Sequence, residues 1–288
     1  MTIPIEDSGA PAPGIYASVP FEEYCSWKAV NHSLLDRGLQ SWAHVHEEMA
    51  HPSDEQTEAQ AFGHAFHAAL LEPERYSRMR ITAPINQKTS ASYGWGTKAY
   101  NEALAEYAGH IVVRFEDEVA INAMVASVMA HPAAGRLCAA PGPREVCAVW
   151  TDDRTRLKCK GRLDLFVAGK FRLDIKTCMS AAKKPFEAAA FRYGYHRQEA
   201  FYREGFAVAP GGSRCPGIII AVEKSPPYPV AVYTMSDDYL LTARRENQLL
   251  LDGFDACQKE NVWPGYPQEV QTLDAPPWAY RDGEDNQG

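Results

Sequence analysis

Asp164, Asp174 and Lys176 fall within one stretch, RLDLFVAGKFRLDIK, that reads as two strands and a turn. The odd positions Leu157, Cys159, Leu163, Leu165, Val167, Phe171, Leu173 and Ile175 are apolar, and the even ones, Arg156 to Asp164 and Arg172 to Lys176, are largely charged. Alternation of this kind predicts a hairpin with its charge on one face. With Ala168-Gly169-Lys170 as the loop, Val167 faces Phe171 and Asp164 falls opposite Asp174, with Cβ atoms about 4.5–5.5 Å apart. Two facing carboxylates repel unless a cation sits between them, and hard oxygen ligands suit Mg²⁺, with Mn²⁺ as a substitute. Lys176, two residues on, brings an ammonium to the same point. Such a site suits phosphoryl transfer, the ion polarising a phosphate oxygen and activating water while the lysine offsets developing charge.

Glu145 opens the preceding strand and, with a short turn near residues 152–154, joins the charged face as a third carboxylate. A one-residue slip there would send it to the other side. Lys160 and Arg162, with Arg154, Arg156 and Lys158, offer phosphate contacts on that face.

The elements that must carry these groups follow from periodicity. Glu145–Trp150, Arg156–Val167 and Phe171–Thr177 read as a β-meander, divided by good turn sequences. Residues 59–71, 115–130, 185–207 and 237–256 have helical spacing, and Gly217–Val222 and Val230–Met235 are further short strands. The segment 80–98 is an irregular loop whose Tyr93, Trp95, Lys88 and Lys98 are available to grip a nucleic-acid end. The expected fold is α/β, a central mixed β-sheet with a β-meander flanked by helices. No repeat or low-complexity linker divides the chain, so one domain is expected over 14–280, with a flexible N-terminus at 1–13 and a flexible acidic tail at 281–288.

The chain has 288 residues, 45% hydrophobic and 23% charged, which excludes collagenous, disordered and disulfide-stapled classes. Its longest purely apolar stretch, Ile218–Val222, is far below the roughly 20 residues of a membrane span, and the acidic start lacks a signal-peptide pattern. A cytoplasmic protein with no membrane association is expected. Seven cysteines without a CxxC pair point to free thiols and give no iron–sulfur or zinc motif. The net charge of −8 argues against a uniformly basic surface, leaving only a local basic groove for nucleic acid.

Three short motifs occur in a fixed order. Gly63-His64-Ala65-Phe66-His67 matches GxxxH, Asp164 with Asp174-Ile175-Lys176 matches the PD-(D/E)xK core, and Gln198-Glu199-Ala200-Phe201-Tyr202 matches QxxxY. In this set and its surroundings, AFHAALLEPERY and YGYHRQEAFYREGF, the chain resembles the RecE-type (exonuclease VIII) nucleases of the RecB-like family in the PD-(D/E)xK superfamily. Leu163 stands where many members have Pro, a position that supplies no ligand. The resemblance implies a PD-(D/E)xK core in which His67, Asp164, Asp174 and the carbonyl of Ile175 hold the metal, and Gln198 and Tyr202, one helical turn apart, line the substrate groove. Gly63 would let the helix of His67 approach the sheet closely. His44, His46, His51 and His64 match nothing and are read as structural or surface residues.

The resemblance further implies an Mg²⁺-dependent exodeoxyribonuclease that degrades linear double-stranded DNA 5′ to 3′, yielding 5′-mononucleotides and a 3′ single strand for recombination. It implies a ring-shaped homo-oligomer, a single-strand annealing protein as partner, and a phage or prophage setting. The alternatives are a structure-specific endonuclease or end processor, and an inactive module that binds DNA or a recombinase.

Overall fold

A computed structural model of the chain describes residues 9–52 and 56–275. The elements run β1 (Gly14–Tyr16), α1 (Phe21–Ser26), α2 (His32–Gly38), α3 (Trp42–Ala50), α4 (Glu58–Leu71), α5 (Pro73–Met79), β2 (Arg80–Thr82), α6 (Lys98–Glu106), β3 (Ile111–Val113), α7 (Phe115–Ala130) and α8 (Pro132–Cys138). The second half runs β4 (Arg144–Thr151), β5 (Lys158–Val167), β6 (Phe171–Cys178), α9 (Lys183–Arg192), α10 (Tyr195–Val208), β7 (Gly217–Glu223), β8 (Val230–Tyr233) and α11 (Asp237–Glu260). No described helix is long and apolar enough to cross a membrane. Residues 1–8 and the tail 281–288 lie outside the described residues.

Six strands form one sheet in the order β1-β4-β5-β6-β7-β8. The expected meander is β4–β5–β6, antiparallel throughout, and β6 then pairs parallel with β7, so the sheet is mixed. A parallel return needs a crossover, which α9 and α10 supply. On one side Leu165, Val167, Leu173, Ile175, Ile220 and Val222 bury against Phe66, Leu70, Ile121 and Met124 of α4 and α7. On the other, Val146, Ala148, Trp150, Leu163 and Phe166 meet Phe201 and Phe206 of α10 and Leu251 and Phe254 of α11. Burying such side chains is worth roughly 1.5–3 kcal/mol each, which fixes the helices on the sheet.

Local chemistry explains the boundaries. Thr57 opens α4 with a reciprocal capping box, its hydroxyl accepting from the Gln60 N–H while the Gln60 side chain accepts from the Thr57 N–H. The helical pattern over 185–207 is broken in two at Tyr193-Gly194. Gly194 has φ 70°, and a Cβ there would fall 2.5 Å from Asp36 Oδ2 and 2.6 Å from Arg197 Nη2. At Gly63 the expectation fails: nothing lies within 4 Å of an added Cβ, so α4 needs no glycine to reach the sheet.

Two further segments differ from expectation. The loop over 80–98 contains β2, which pairs in parallel with β3, and its Trp95 packs on Tyr100 with centroids 5.2 Å apart as part of a small local core. Residues 14–50 add β1 to the sheet edge, pack Tyr24 and Trp27, in and just after α1, with Cys147 and Val149 of β4, and bring Leu35 of α2 and Val45 of α3 into the cluster of Val146, Ala148 and Trp150.

Candidate active site

The β5–β6 hairpin has the expected register, Val167 opposite Phe171, Phe166 opposite Arg172 and Leu165 opposite Leu173. The ladder stops there. Asp164 does not stand squarely against Asp174, because its Oδ2 accepts the N–H of Ile175 at 2.5 Å, taking the place of a strand partner. The side-chain carboxylate is thereby wedged where the two strands part.

Alternation also breaks at this point. Leu163 packs toward α10 while Leu165, two residues on, packs toward α4 and α7. Asp164 is therefore the switch at which β5 changes the face of its odd-numbered residues. As a result the charges do not share one face: Lys160 and Arg162 contact the N-terminal segment, while Arg172 and Lys176 contact α10.

Two further ligand-bearing side chains converge on Asp164. His67 comes from α4, its Nδ1 3.1 Å from Asp164 Oδ1, and Glu145 comes from β4. One ligand atom from each of His67, Glu145 and Asp164 lies within 4.8 Å of the others. Glu145 sits between the paired residues Arg144 and Val146, which face Leu165 and Leu163, and so arrives opposite Asp164. Its φ of 50° is unusual for a residue other than glycine, and such strain is held in place only by its surroundings. Arg162 provides them, its Nε donating to Glu145 Oε2 at 2.8 Å and its Nη1 to the Val19 carbonyl at 3.0 Å.

Asp174 and Lys176 continue the site toward α10. Lys176 Nζ lies 2.8 Å from Asp174 Oδ2 and donates to Gln198 Oε1 at 2.8 Å, and Gln198 Nε2 donates to the Tyr202 hydroxyl at 3.4 Å. The Lys176 amine also sits 4.8 Å from the Tyr195 ring centroid. Tyr195 lies outside the sequence motifs, and its position three residues before Gln198 on one helix is the signal that marks it.

Electrostatics tie the two halves together. Burial works against the charge on His67, but Asp164, then Glu145 and Asp174, outweigh it and raise its pKa to about 9. Burial likewise opposes the Asp164 charge, yet His67, Lys176 and the Ile175 N–H hold its carboxyl below the usual range. Asp174 is pushed up by burial against the pull of Lys176, and the charge of Asp164 adds to the rise. Glu145 is pushed up by burial and by Asp164. The carboxylates thus crowd one another at the expected centre, where positive charge is favoured.

Two carboxylates and an imidazole within this span form a donor set that fits a divalent metal ion. Asp174 and the Ile175 carbonyl are adjoining oxygen donors on β6. None of the seven cysteines is in a disulfide, and of the seven Cys25 alone is exposed.

Lys160 departs most from its expected role. Only 4% exposed, it turns inward and its Nζ donates to the carbonyls of Tyr24, Cys25 and Trp27 at 2.8, 3.3 and 2.7 Å, tying the end of α1 to β5. It is a structural tie, with no face left for phosphate. Arg162 is likewise committed to Glu145 and packs over Phe21, and Arg154 pairs with Asp252 at 2.7 Å. Lys160→Met should lower stability by about 1–3 kcal/mol, because it removes a charged donor shared by three carbonyls, a bond class worth roughly 1.5–3 kcal/mol, while the Tyr24 and Trp27 carbonyls keep the backbone N–H groups of Trp27 and Ala29. Urea unfolding checks this, and an unchanged midpoint would refute the tie.

The sequence matches the model of the PDDEXK-like domain of unknown function (DUF3799) over residues 31–276. A protein from Eubacterium rectale, described as a "Putative exonuclease", superimposes with a TM-score of 0.62 at 14% identity, covering 91% of this chain and 96% of its own. At that identity the likeness is one of fold. The structure of a protein described as SSO0001 aligns at 17% identity over 76% of this chain and 84% of its own, with a TM-score of only 0.29. No curated protein matches the sequence.

Proposed function

We propose, from the premise that this chain belongs to the PDDEXK-like family (DUF3799), that it is a divalent-metal-dependent exodeoxyribonuclease acting on linear double-stranded DNA. The observation that carries this reading is the meeting of His67, Glu145 and Asp164 beside the Asp174–Lys176 pair. His67, Asp164, Asp174 and the Ile175 carbonyl would hold the ion, with Glu145 joining them. A divalent ion held by these residues would supply Lewis acidity to a phosphodiester oxygen and lower the pKa of a bound water.

The chain's own residues do the rest. Lys176 keeps its charge, since Asp174 and then Asp164 outweigh the cost of burial, and its ammonium offsets charge developing on the phosphate. Gln198 accepts from the same amine that Asp174 pairs with, and Tyr202 fixes Gln198 through the next hydrogen bond. Arg162 keeps Glu145 turned toward Asp164.

The finer reading rests on the RecE-type resemblance. It comprises 5′ to 3′ digestion to 5′-mononucleotides, a 3′ single strand left for recombination, a ring-shaped homo-oligomer, an annealing protein as partner, and a cytoplasmic location in a phage or prophage system. The test is a linear duplex labelled at either end, incubated with Mg²⁺ or with EDTA, beside closed circular DNA. The expected result is mononucleotide release from 5′ ends only, abolished by EDTA. Cutting of the circle would favour an endonuclease, and no cutting with any divalent metal would favour a binding module.

A further inference from the structure

The corner between α9 and α10 carries aromatic and basic side chains that the reaction chemistry above does not use. Tyr193, which ends α9, is 58% exposed, and the Arg192 guanidinium lies 5.7 Å from its ring centroid. The inner side of Tyr193 meets Tyr195 with centroids 6.0 Å apart, and Tyr195 is the ring that carries the Lys176 amine. One chain of contacts therefore runs from solvent to the lysine at the proposed centre. Tyr195 is itself backed by buried Phe186, which stacks on Tyr233 at 5.1 Å.

The corner is built to hold its shape. Gly194 has no room for a Cβ because Asp36 and Arg197 close over it, and Arg197 Nε donates to Asp36 Oδ1 at 2.9 Å. An exposed tyrosine ring with a guanidinium against it is a surface on which a flat ring can land. Lys183 and Lys184, both exposed, stand at the far end of the same helix, and Lys183 Nζ lies 3.9 Å from Glu187 Oε1. The Arg192 guanidinium beside this exposed ring is complementary to a polyanion with π-faces.

We propose that Tyr193, with Arg192, is a stacking ledge for an unpaired nucleobase on the strand whose phosphodiester reaches Lys176. This rests on the nuclease reading and deepens it, since it calls for a locally single-stranded segment at the site. Stacking of this kind accepts any base, so the ledge adds grip without sequence preference.

The test uses the full chain and a fluorescein-labelled oligothymidylate, followed by anisotropy in EDTA so that no hydrolysis occurs. Tyr193→Ala should weaken binding by about fivefold or more, the lower end for loss of one base stack, and Tyr193→Phe should stay within about twofold of wild type. Arg192→Gln should weaken binding and flatten its salt dependence. In digestion, Tyr193→Ala should raise KM more than it lowers kcat. Tyr193 is exposed, so circular dichroism should show the fold retained. Wild-type affinity and KM in Tyr193→Ala, with wild-type digestion intact, would overturn the ledge alone. A change of oligomeric state without a change in oligonucleotide affinity would make the corner a self-association surface and overturn it too. A wild-type chain that neither binds nor cuts DNA would instead bring down the nuclease reading and the ledge with it.

Discussion

Asp174→Asn is expected to lower kcat/KM for DNA hydrolysis by about a thousandfold or more, the scale on which removal of a charge-stabilising group acts in such sites. At about 1.36 kcal/mol per tenfold, this asks the carboxylate to supply roughly 4 kcal/mol of transition-state stabilisation. The substitution removes the negative charge that pairs with Lys176 at 2.8 Å, yet leaves the strand pairing of β6 with β7 untouched. Lys176→Met should fall comparably, since it removes the cation that Asp174 and Gln198 jointly hold. Steady-state digestion of a linear duplex, with circular dichroism to verify folding, measures both. A loss smaller than about tenfold in either folded variant would remove these groups from the chemistry.

The second large effect is on stability. Arg172 is 1% exposed on β6, and its guanidinium is paired with Glu199 of α10 and with the Cys215 carbonyl. The pair braces the strand of Asp174 and Lys176 against the helix of Gln198 and Tyr202. Arg172→Met leaves Glu199 buried without its cation, and breaking a buried pair from one side costs about 3–5 kcal/mol. Burial already pushes the Glu199 carboxyl up against the pull of Arg172, so the lone acid takes up a proton more readily. Adding Glu199→Gln to Arg172→Met should therefore restore part of the lost stability. Urea unfolding of both variants checks this, and a loss below about 1 kcal/mol in Arg172→Met would mean that the brace carries no weight.

Much of this was legible in the residues themselves. The alternation in RLDLFVAGKFRLDIK and its loop were enough to set the hairpin register, because a three-residue turn and a period of two leave little freedom. The helix of His67 and the i, i+4 relation of Gln198 and Tyr202 followed from spacing. What the pattern could not contain was the local departure from it. Asp164 bonds the Ile175 N–H instead of facing Asp174, and β5 changes faces there, so an extrapolated register misplaces every charge beyond it.

Lys160 and Arg162 illustrate a different limit. Both look like basic residues on an open strand, but their partners, Trp27 and Val19, come from more than 130 residues earlier in the chain. No local window reveals a carbonyl cage closed from so far away. Gly63 is the reverse case, a glycine whose position suggests close packing where the surroundings leave space. Gly194 is the glycine that geometry requires, at a break in what reads as one helix.

The central claim is that a divalent cation is held where His67, Glu145 and Asp164 converge beside Asp174. Isothermal titration of Mn²⁺ into the wild-type chain and into folded Asp164→Asn tests it most directly, since it needs neither substrate nor turnover. The account predicts saturable binding to wild type and at least about tenfold weaker binding to the variant, as loss of one carboxylate charge from the donor set requires. Equal affinity in the two proteins, or no binding to wild type, would contradict it.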